Sequence, residues 1–90
     1  MADQRIQISQ KKKVKKQLGD IPESNREKIK ETIKSLADDP LPPGIEKLGK
    51  HIYRVRWGNY RIIYQFPNDN KGITVLYVGD RKDIYQRAQW

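Results

Sequence analysis

The sequence lacks the residues that most often build reactive or metal-binding sites. It contains no cysteine and a single histidine, His51. Without cysteine, disulfide bonds, thiolate metal sites and cysteine nucleophiles are all excluded. A single histidine also excludes a multi-histidine metal site. We therefore expect no metal site in this chain.

The sequence also lacks a long apolar segment. No signal peptide, transmembrane run or lipidation motif is recognisable, so we expect a soluble, cytoplasmic protein with no membrane partner. Ninety residues are enough for one small domain, which we predict to span residues 1–90. At this size the hydrophobic core can only be modest, and no disulfide bond is available to reinforce it.

What the chain has in excess is positive charge. Its 19 lysines and arginines outnumber its 11 aspartates and glutamates, which gives a net charge of +8 and a pI of about 9.8. Such a balance in a small domain indicates a nucleic acid, an acidic protein or an anionic membrane as partner. The membrane is the least favoured of the three, because the basic segments have no continuous apolar face.

The first half of the chain predicts a strand followed by two helices. Residues 5–8 alternate polar and apolar side chains, as a short strand does. Ser9 is placed to cap a helix over residues 10–18, which ends at Gly19. Asp20 is placed to cap a second helix. The apolar positions of that helix repeat at helical spacing and are Ile29, Ile33, Leu36 and Ala37.

The second half predicts strands. A loop over residues 38–44 leads to a hairpin with strands at 52–57 and 60–66, and a continuous apolar run at 73–78 predicts an interior strand. A last helical turn is predicted at 83–88. The resulting fold is α+β in the order β-α-α-β-β-β, with a helical hairpin on one face of a four-stranded, mostly antiparallel sheet.

The hairpin carries the clearest functional pattern. Gly58-Asn59 is a two-residue turn, which fixes the register and places Arg56 opposite Arg61. Side chains alternate between the faces of a sheet, so one face collects Tyr53, Val55, Trp57, Tyr60, Ile62 and Tyr64. The other face collects Arg54, Arg56 and Arg61. Because like charges directly across a ladder are unfavourable, this face predicts a site for an anion such as phosphate. A solvated, generically basic sheet face is the competing interpretation.

Other residues extend this hypothesis. Arg81 and Tyr85 follow the last strand and could add a phosphate contact and a base-stacking ring, or could be ordinary surface residues. Basic residues on the first helix could contact RNA phosphates without sequence preference, or form a solvated face. These residues are Lys11, Lys12, Lys13, Lys15 and Lys16. Asp80 stands beside Arg81 and has an ordinary role as its ionic partner.

Three segments resemble the RelE/ParE toxin superfamily. They are Leu48-Gly49, the hairpin from Tyr53 to Tyr64, and the stretch from Val78 to Tyr85. The predicted order of elements is also similar to that family, so the resemblance covers nearly the whole chain. It implies a RelE-like fold and a toxin of a type II toxin–antitoxin module.

The RelE branch of this family implies a specific chemistry. RelE toxins cleave messenger RNA in the ribosomal A site without a metal or other cofactor, by attack of the 2′-hydroxyl on the adjacent phosphorus. The family's catalytic positions correspond here to Arg54, Arg56, Arg61, Arg81 and Tyr85. The best-known RelE proteins have lysines at the first two positions, and arginine is a poor general base. We therefore take Asp80 as the candidate base.

The resemblance also implies partners and leaves alternatives. The expected partners are a cognate RelB-like antitoxin and the ribosome with its mRNA and rRNA. One alternative function is that of a ParE-like protein, which inhibits DNA gyrase and is not an enzyme. Another is a catalytically weak homologue that only binds RNA or its antitoxin. The complete basic set with its tyrosine favours the ribonuclease.

Overall fold

The computed structural model describes residues 6–67 and 72–80. These residues form two helices and five strands, which are β1 Ile8–Gln10, α1 Lys12–Gly19, α2 Glu23–Ser35, β2 Glu46–Gly49, β3 Ile52–Trp57, β4 Tyr60–Gln65 and β5 Ile73–Asp80. The α+β class and the order of the predicted elements are confirmed, and β2 is an additional strand. The predicted helical turn at 83–88 lies outside the described residues.

The strands form one mixed sheet in the order β1-β5-β4-β3-β2. β1 is parallel to β5, and the other neighbouring strands are antiparallel. The last strand is therefore interior, as its continuous apolar run predicts. Within the described part of the chain, β2 and β1 form the two edges of the sheet.

Both helices pack on the same face of the sheet. Val14 and Leu18 of α1 and Ile29 and Ile33 of α2 are buried against side chains of β4 and β5. The sheet residues of this cluster are Ile62, Val75 and Val78. Trp57 and Tyr60 are partly buried against the same cluster, which confirms the predicted core face of the hairpin. The opposite face, which carries the arginines, is left uncovered by α1 and α2.

The starts of both helices differ from the prediction. The first strand lies at Ile8–Gln10, and Ser9 is part of it, where its Oγ lies 3.3 Å from Thr74 Oγ1. The helix that follows is capped by Lys11, which makes no side-chain capping hydrogen bond. Asp20 ends α1, and Pro22 occupies the N-cap of α2. Pairing with β5 outweighs the local preference of serine for a cap, because it supplies backbone partners along a whole strand.

The hairpin turn has one residue with positive φ. Gly58 has φ 58°, whereas Asn59 has no positive φ, so the turn has glycine at the first central position as in type II′. His51 also has a positive φ, 63°, in the turn between β2 and β3. Its carbonyl oxygen accepts a 2.8 Å hydrogen bond from the Phe66 amide. The backbone of His51, the only histidine of the chain, thus forms part of the turn between β2 and β3.

Candidate functional site

The arginines lie in two rows on the sheet face opposite the helices, and we call this surface the arginine face. The first row crosses the sheet from β2 to β5 and consists of Glu46, Arg54, Ile63 and Tyr77. The second row consists of Arg56, Arg61 and Gly79. The predicted hairpin register is confirmed, including Arg56 directly opposite Arg61. The structure thus brings together the three candidate arginines of the hairpin.

Arg54 is held by a carboxylate that the sequence analysis did not identify. Its Nη2 donates a hydrogen bond to Oε2 of Glu46, which lies directly across on β2. The Arg54 side chain is 17% exposed and that of Glu46 is 50% exposed. Arg54 Nε is buried, and no residue in the described part of the chain accepts a hydrogen bond from it. The hydrogen bond from Nη2 therefore holds the guanidinium in place, while Nε donates no hydrogen bond to the described residues.

Arg61 and Arg56 differ in their exposure. Arg61 is only 8% exposed, and its Nη1 donates to the backbone oxygens of Tyr60 at 3.1 Å and Gly58 at 3.4 Å. Arg56, its cross-strand partner, is exposed. Binding Arg61 to turn carbonyls offsets part of the repulsion between the two guanidiniums, since a charge-assisted hydrogen bond stabilises a cation. Arg56 is the arginine of this face that is most open to solvent.

Tyr77 and Gly79 complete the face on β5. A Cβ atom at residue 79 would lie 2.8 Å from two ring carbons of Tyr77 and 2.5 Å from its hydroxyl oxygen. The ring therefore occupies the space above Gly79, which is the register partner of Arg61. Tyr77 also belongs to a small apolar cluster with Ile52, Ile63 and Leu76, in which Ile63 is the register partner of Arg54. The arginine face therefore also contains packed apolar side chains.

The predicted lysine surface divides into two parts. Lys13 lies with its Nζ 6.0 Å from the centre of the Tyr77 ring, so α1 reaches the rim of the arginine face at this point. The other candidate lysines are exposed on α1 or at its cap, and are Lys11, Lys12, Lys15 and Lys16. Lys13 thus links α1 to the arginine face.

Asp80 is the last residue of β5, and its register assigns it to the other face of the sheet from Gly79. It is the register partner of Tyr60, so it belongs to the helix-covered face of the sheet. A groove of about 330 Å³ at this end of the strand is lined by Asp80 and Gln17 and also by Tyr77 and Gly79 of the arginine face. Alternation along β5 places Gly79 on the arginine face and the next residue on the other side. The geometry therefore argues against Asp80 as the base for chemistry on the arginine face.

Two further candidates, Arg81 and Tyr85, lie outside the described residues. Sequence reasoning missed Glu46, because residues 46–49 include a glycine and no β-branched residue and so gave no strand signal. Gly79 was missed as well, because the register between β4 and β5 depends on long-range pairing, which is irregular between Ile63 and Tyr64.

Residues 6–67 and 72–80 contain neither a cluster of metal ligands nor a helix that could span a membrane. No group of three histidine, aspartate or glutamate side chains is arranged to hold a metal ion. In that same part of the chain, neither helix is long and apolar enough to cross a membrane.

Comparison with known proteins gives a consistent result. A model of the family described as the ParE toxin of type II toxin–antitoxin systems, parDE, matches residues 8–85. A Methanocaldococcus jannaschii protein provisionally named toxin RelE1 is 35% identical over 80 residues, which cover 83% of this chain and 89% of the relative.

Solved structures share the fold. The archaeal RelE–RelB complex of Pyrococcus horikoshii matches with a TM-score of 0.77 and 28% identity over 86% of this chain and 96% of that one. The RelB–RelE antitoxin–toxin complex of Methanococcus jannaschii matches with a TM-score of 0.71 and 30% identity over 87% and 95%. The isolated E. coli RelE toxin, at 19% identity and a TM-score of 0.73 over 90% and 92%, shares the fold alone.

Proposed function

The chain belongs to the ParE toxin family of type II toxin–antitoxin systems, within the RelE/ParE superfamily, and we propose that it is a ribosome-dependent endoribonuclease. In this proposal it cleaves messenger RNA in the ribosomal A site and so stops translation. Family membership supports the toxin role, and the finer activity is our inference from the site.

The observation that carries the proposal is the grouping of Arg54, Arg56 and Arg61 on one face of the sheet. Guanidinium groups are always charged and present a planar set of donors that suits phosphate oxygens. Their arrangement keeps two of them across from each other in spite of repulsion, which a purely structural face would not require. A phosphodiester bound at this face would be contacted on several oxygens.

The chemical step is an internal transfer of the phosphodiester. The 2′-oxygen forms a bond to the adjacent phosphorus, and the bond from phosphorus to the 5′-oxygen breaks. The 2′-proton passes to an acceptor, and the departing 5′-oxygen takes up a proton, which leaves a 2′,3′-cyclic phosphate and a 5′-hydroxyl. The arginines would stabilise the charge of the pentavalent transition state, an effect that is worth about 10²- to 10³-fold per well-placed donor in other enzymes.

Three further candidate residues have different standing in this proposal. Asp80 is a poor choice of proton acceptor, because its register places it on the opposite face. Arg81 and Tyr85 keep the roles that the resemblance implies, which are to assist the leaving 5′-oxygen and to orient the base. No metal or organic cofactor enters the proposed step.

The proposed partners follow from the relatives. Two related archaeal toxins are known in complexes of RelE with RelB, so we propose a RelB-like antitoxin for this chain. Its net charge of +8 suits both an acidic antitoxin and the RNA of the ribosome. The exposed lysines of α1 would add phosphate contacts with mRNA or rRNA. In keeping with these proposed partners, we propose the cytoplasm as the location of the protein.

A second candidate function is inhibition of DNA gyrase without catalysis. The observation in its favour is that the matching family model is the one described for ParE toxins. In that case the arginine face would dock a protein, and cleavage of RNA would not occur. A third candidate, a homologue that binds RNA and leaves it intact, would show salt-sensitive binding without products.

Primer extension on a defined message held on programmed ribosomes tests the proposal. The wild-type chain should cut in the A-site codon, and the cut should be absent without ribosomes. Arg56→Ala should reduce single-turnover cleavage by about 10²- to 10³-fold, because it removes a donor for the transition-state charge. Arg56 is preferred to Arg61 for this purpose, since Arg61 also binds the hairpin turn.

Arg26→Ala is the matched control, because Arg26 lies on α2 and not on the arginine face. It should cleave as wild type does. Equal loss in both variants would indicate a general effect of charge and contradict the proposed site. Absence of a cut with wild type, together with inhibition of gyrase supercoiling, would establish the second candidate function.

A further inference from the structure

Glu46 is a carboxylate that contacts an arginine of the arginine face. It lies on the edge strand β2, directly across from Arg54, and its Oε2 accepts a hydrogen bond from Arg54 Nη2. The sheet itself sets this contact, because cross-strand partners on one face have neighbouring side chains. Half of the Glu46 side chain is exposed, so its position is not explained by burial of an apolar surface.

The contact with Glu46 engages Nη2 of Arg54 and not its Nε. Nε and Nη2 lie on the same edge of a guanidinium, the edge that can bind two oxygens of one phosphate or carboxylate group. Glu46 accepts a hydrogen bond from Nη2, whereas Nε is buried and has no acceptor among the residues that the structure describes. Buried donors are nearly always hydrogen-bonded, so this one requires an acceptor that residues 6–67 and 72–80 do not supply. A phosphate oxygen is the acceptor that this site would receive.

We propose that Glu46 is a positioning residue, which fixes the Arg54 guanidinium so that its Nε–H can donate to a phosphate oxygen of the bound RNA. It acts through Arg54 and takes no part in proton transfer. Its negative charge also reduces the repulsion among Arg54, Arg56 and Arg61. This inference rests on the proposed function, because it assigns the anion at the arginine face as RNA phosphate.

A double-mutant cycle tests this role, with wild type, Glu46→Gln, Arg54→Ala and the double variant. One readout is the affinity for a short single-stranded RNA that carries a 2′-deoxy nucleotide at the cleavage position and so cannot be cut. The other is single-turnover cleavage on programmed ribosomes between pH 5.5 and 9. Thermal unfolding of each variant verifies that it is folded, and Arg54→Lys replaces Arg54→Ala if the latter is not.

Coupling between the two residues is the expected result. Glu46→Gln alone should weaken RNA binding and cleavage by about 5- to 10-fold, and it should have no further effect once Arg54 is replaced. Glu46→Asp should recover part of the loss, and the shape of the pH profile should be unchanged by Glu46→Gln. Glu31→Gln is the control, since Glu31 forms an exposed ion pair with Lys28 on α2, and it should behave as wild type.

Other outcomes would overturn the inference. Additive effects of the two substitutions would show that Glu46 does not act through Arg54. Loss of the acidic limb of the pH profile in Glu46→Gln would make Glu46 a proton acceptor. If wild type binds RNA but cuts none, the proposed function fails while the affinity cycle still decides the role of Glu46. If wild type neither binds nor cuts RNA, both proposals fail.

Discussion

At the scale of single residues, the three arginines of the hairpin do different work. Arg61 is bound to carbonyl oxygens of its own turn, Arg54 is bound to Glu46, and Arg56 is exposed. Sequence alone treats them as equivalent, because each has the same charge and the same face. Because Arg56 is exposed, we expect its replacement to reduce RNA cleavage with the least effect on folding.

Tyr64 provides a prediction about pH. Burial, followed by the nearby Tyr53 and Asp39, raises the pKa of Tyr64 to about 12 from an ordinary value of 10. The neutral phenol, whose hydroxyl donates to the Pro40 carbonyl at 2.6 Å, is therefore favoured in the folded state. Its stabilising contribution is complete below pH 10 and should be lost as the pH rises from 10 to 12, by about 2 to 3 kcal/mol in total.

Urea unfolding of wild type and Tyr64→Phe at a series of pH values measures this effect. The phenylalanine variant should lose about 1 kcal/mol at pH 7, because the hydrogen bond to Pro40 is gone. Between pH 10 and 12 it should lose less additional stability than wild type does. Parallel curves for the two proteins over that interval would show that Tyr64 does not titrate as described.

His51 gives a second prediction at this scale. Its φ of 63° lies in the left-handed region, which is costly for residues with a Cβ. His51→Gly should therefore leave stability unchanged or raise it by up to about 1 kcal/mol. His51→Ala keeps the Cβ and removes only the imidazole, so it should cleave RNA as wild type does. Loss of cleavage in a folded His51→Ala variant would give the histidine a role in chemistry.

At the scale of elements, β5 is the strand that joins the helices to the arginine face. Its Val78 amide donates a 2.9 Å hydrogen bond to the Gln17 side chain of α1, and the Tyr77 ring lies near Lys13 of the same helix. The two interactions occur on consecutive residues of one strand. A substitution on one face of β5 is thus expected to alter the packing of side chains on the other face.

Gly79→Ala tests the packing of this strand. A Cβ at residue 79 would meet the Tyr77 ring at less than 3 Å, so the ring must move. We expect a loss of stability of about 1 to 3 kcal/mol by overpacking, and a displaced ring beside Arg61. Thermal unfolding measures the loss of stability, and cleavage on ribosomes shows whether the displaced ring affects the site. The double variant Gly79→Ala/Tyr77→Leu, which removes the clash, should recover stability. If Gly79→Ala is as stable as wild type, the described contact is absent.

The errors of sequence reasoning are also found at this scale. Ser9 and Asp20 are good caps by type, yet Ser9 lies in β1 and Asp20 ends α1. Strand β2 was not predicted, because residues 46–49 have no β-branched side chain. In each case long-range strand pairing or helix packing outweighed a weak local preference.

At the scale of the whole molecule, two basic surfaces differ in character. The arginine face carries Arg54 and Arg61, which are held by hydrogen bonds, and the exposed Arg56, whereas α1 carries exposed lysines. We expect the first to set the geometry of a bound phosphate and the second to add affinity that depends on salt. Lys13 lies near the Tyr77 ring, where the two surfaces meet.

The lysine surface leads to a prediction about salt. Replacing Lys12 and Lys16 together with alanine should weaken binding of single-stranded RNA and reduce the slope of log K against log salt by about 1.4, since each phosphate that is no longer neutralised lowers it by about 0.7. Fluorescence anisotropy at several salt concentrations measures both quantities. Lys28→Ala on α2 serves as the control and should leave the slope unchanged. An unaltered slope in the double variant would mean that these lysines form only a solvated surface.

By itself, the sequence determined the hairpin register, the identity of its two faces and the order of the predicted elements. These features depend on local rules, namely the two-residue turn and the alternation of side chains along a strand. The tertiary structure alone decided that β2 adds an edge to the sheet, that Glu46 binds Arg54 and that Asp80 lies on the opposite face from the arginines. Those contacts depend on which distant strands become neighbours, and that choice is made by packing of the whole core rather than by any short segment.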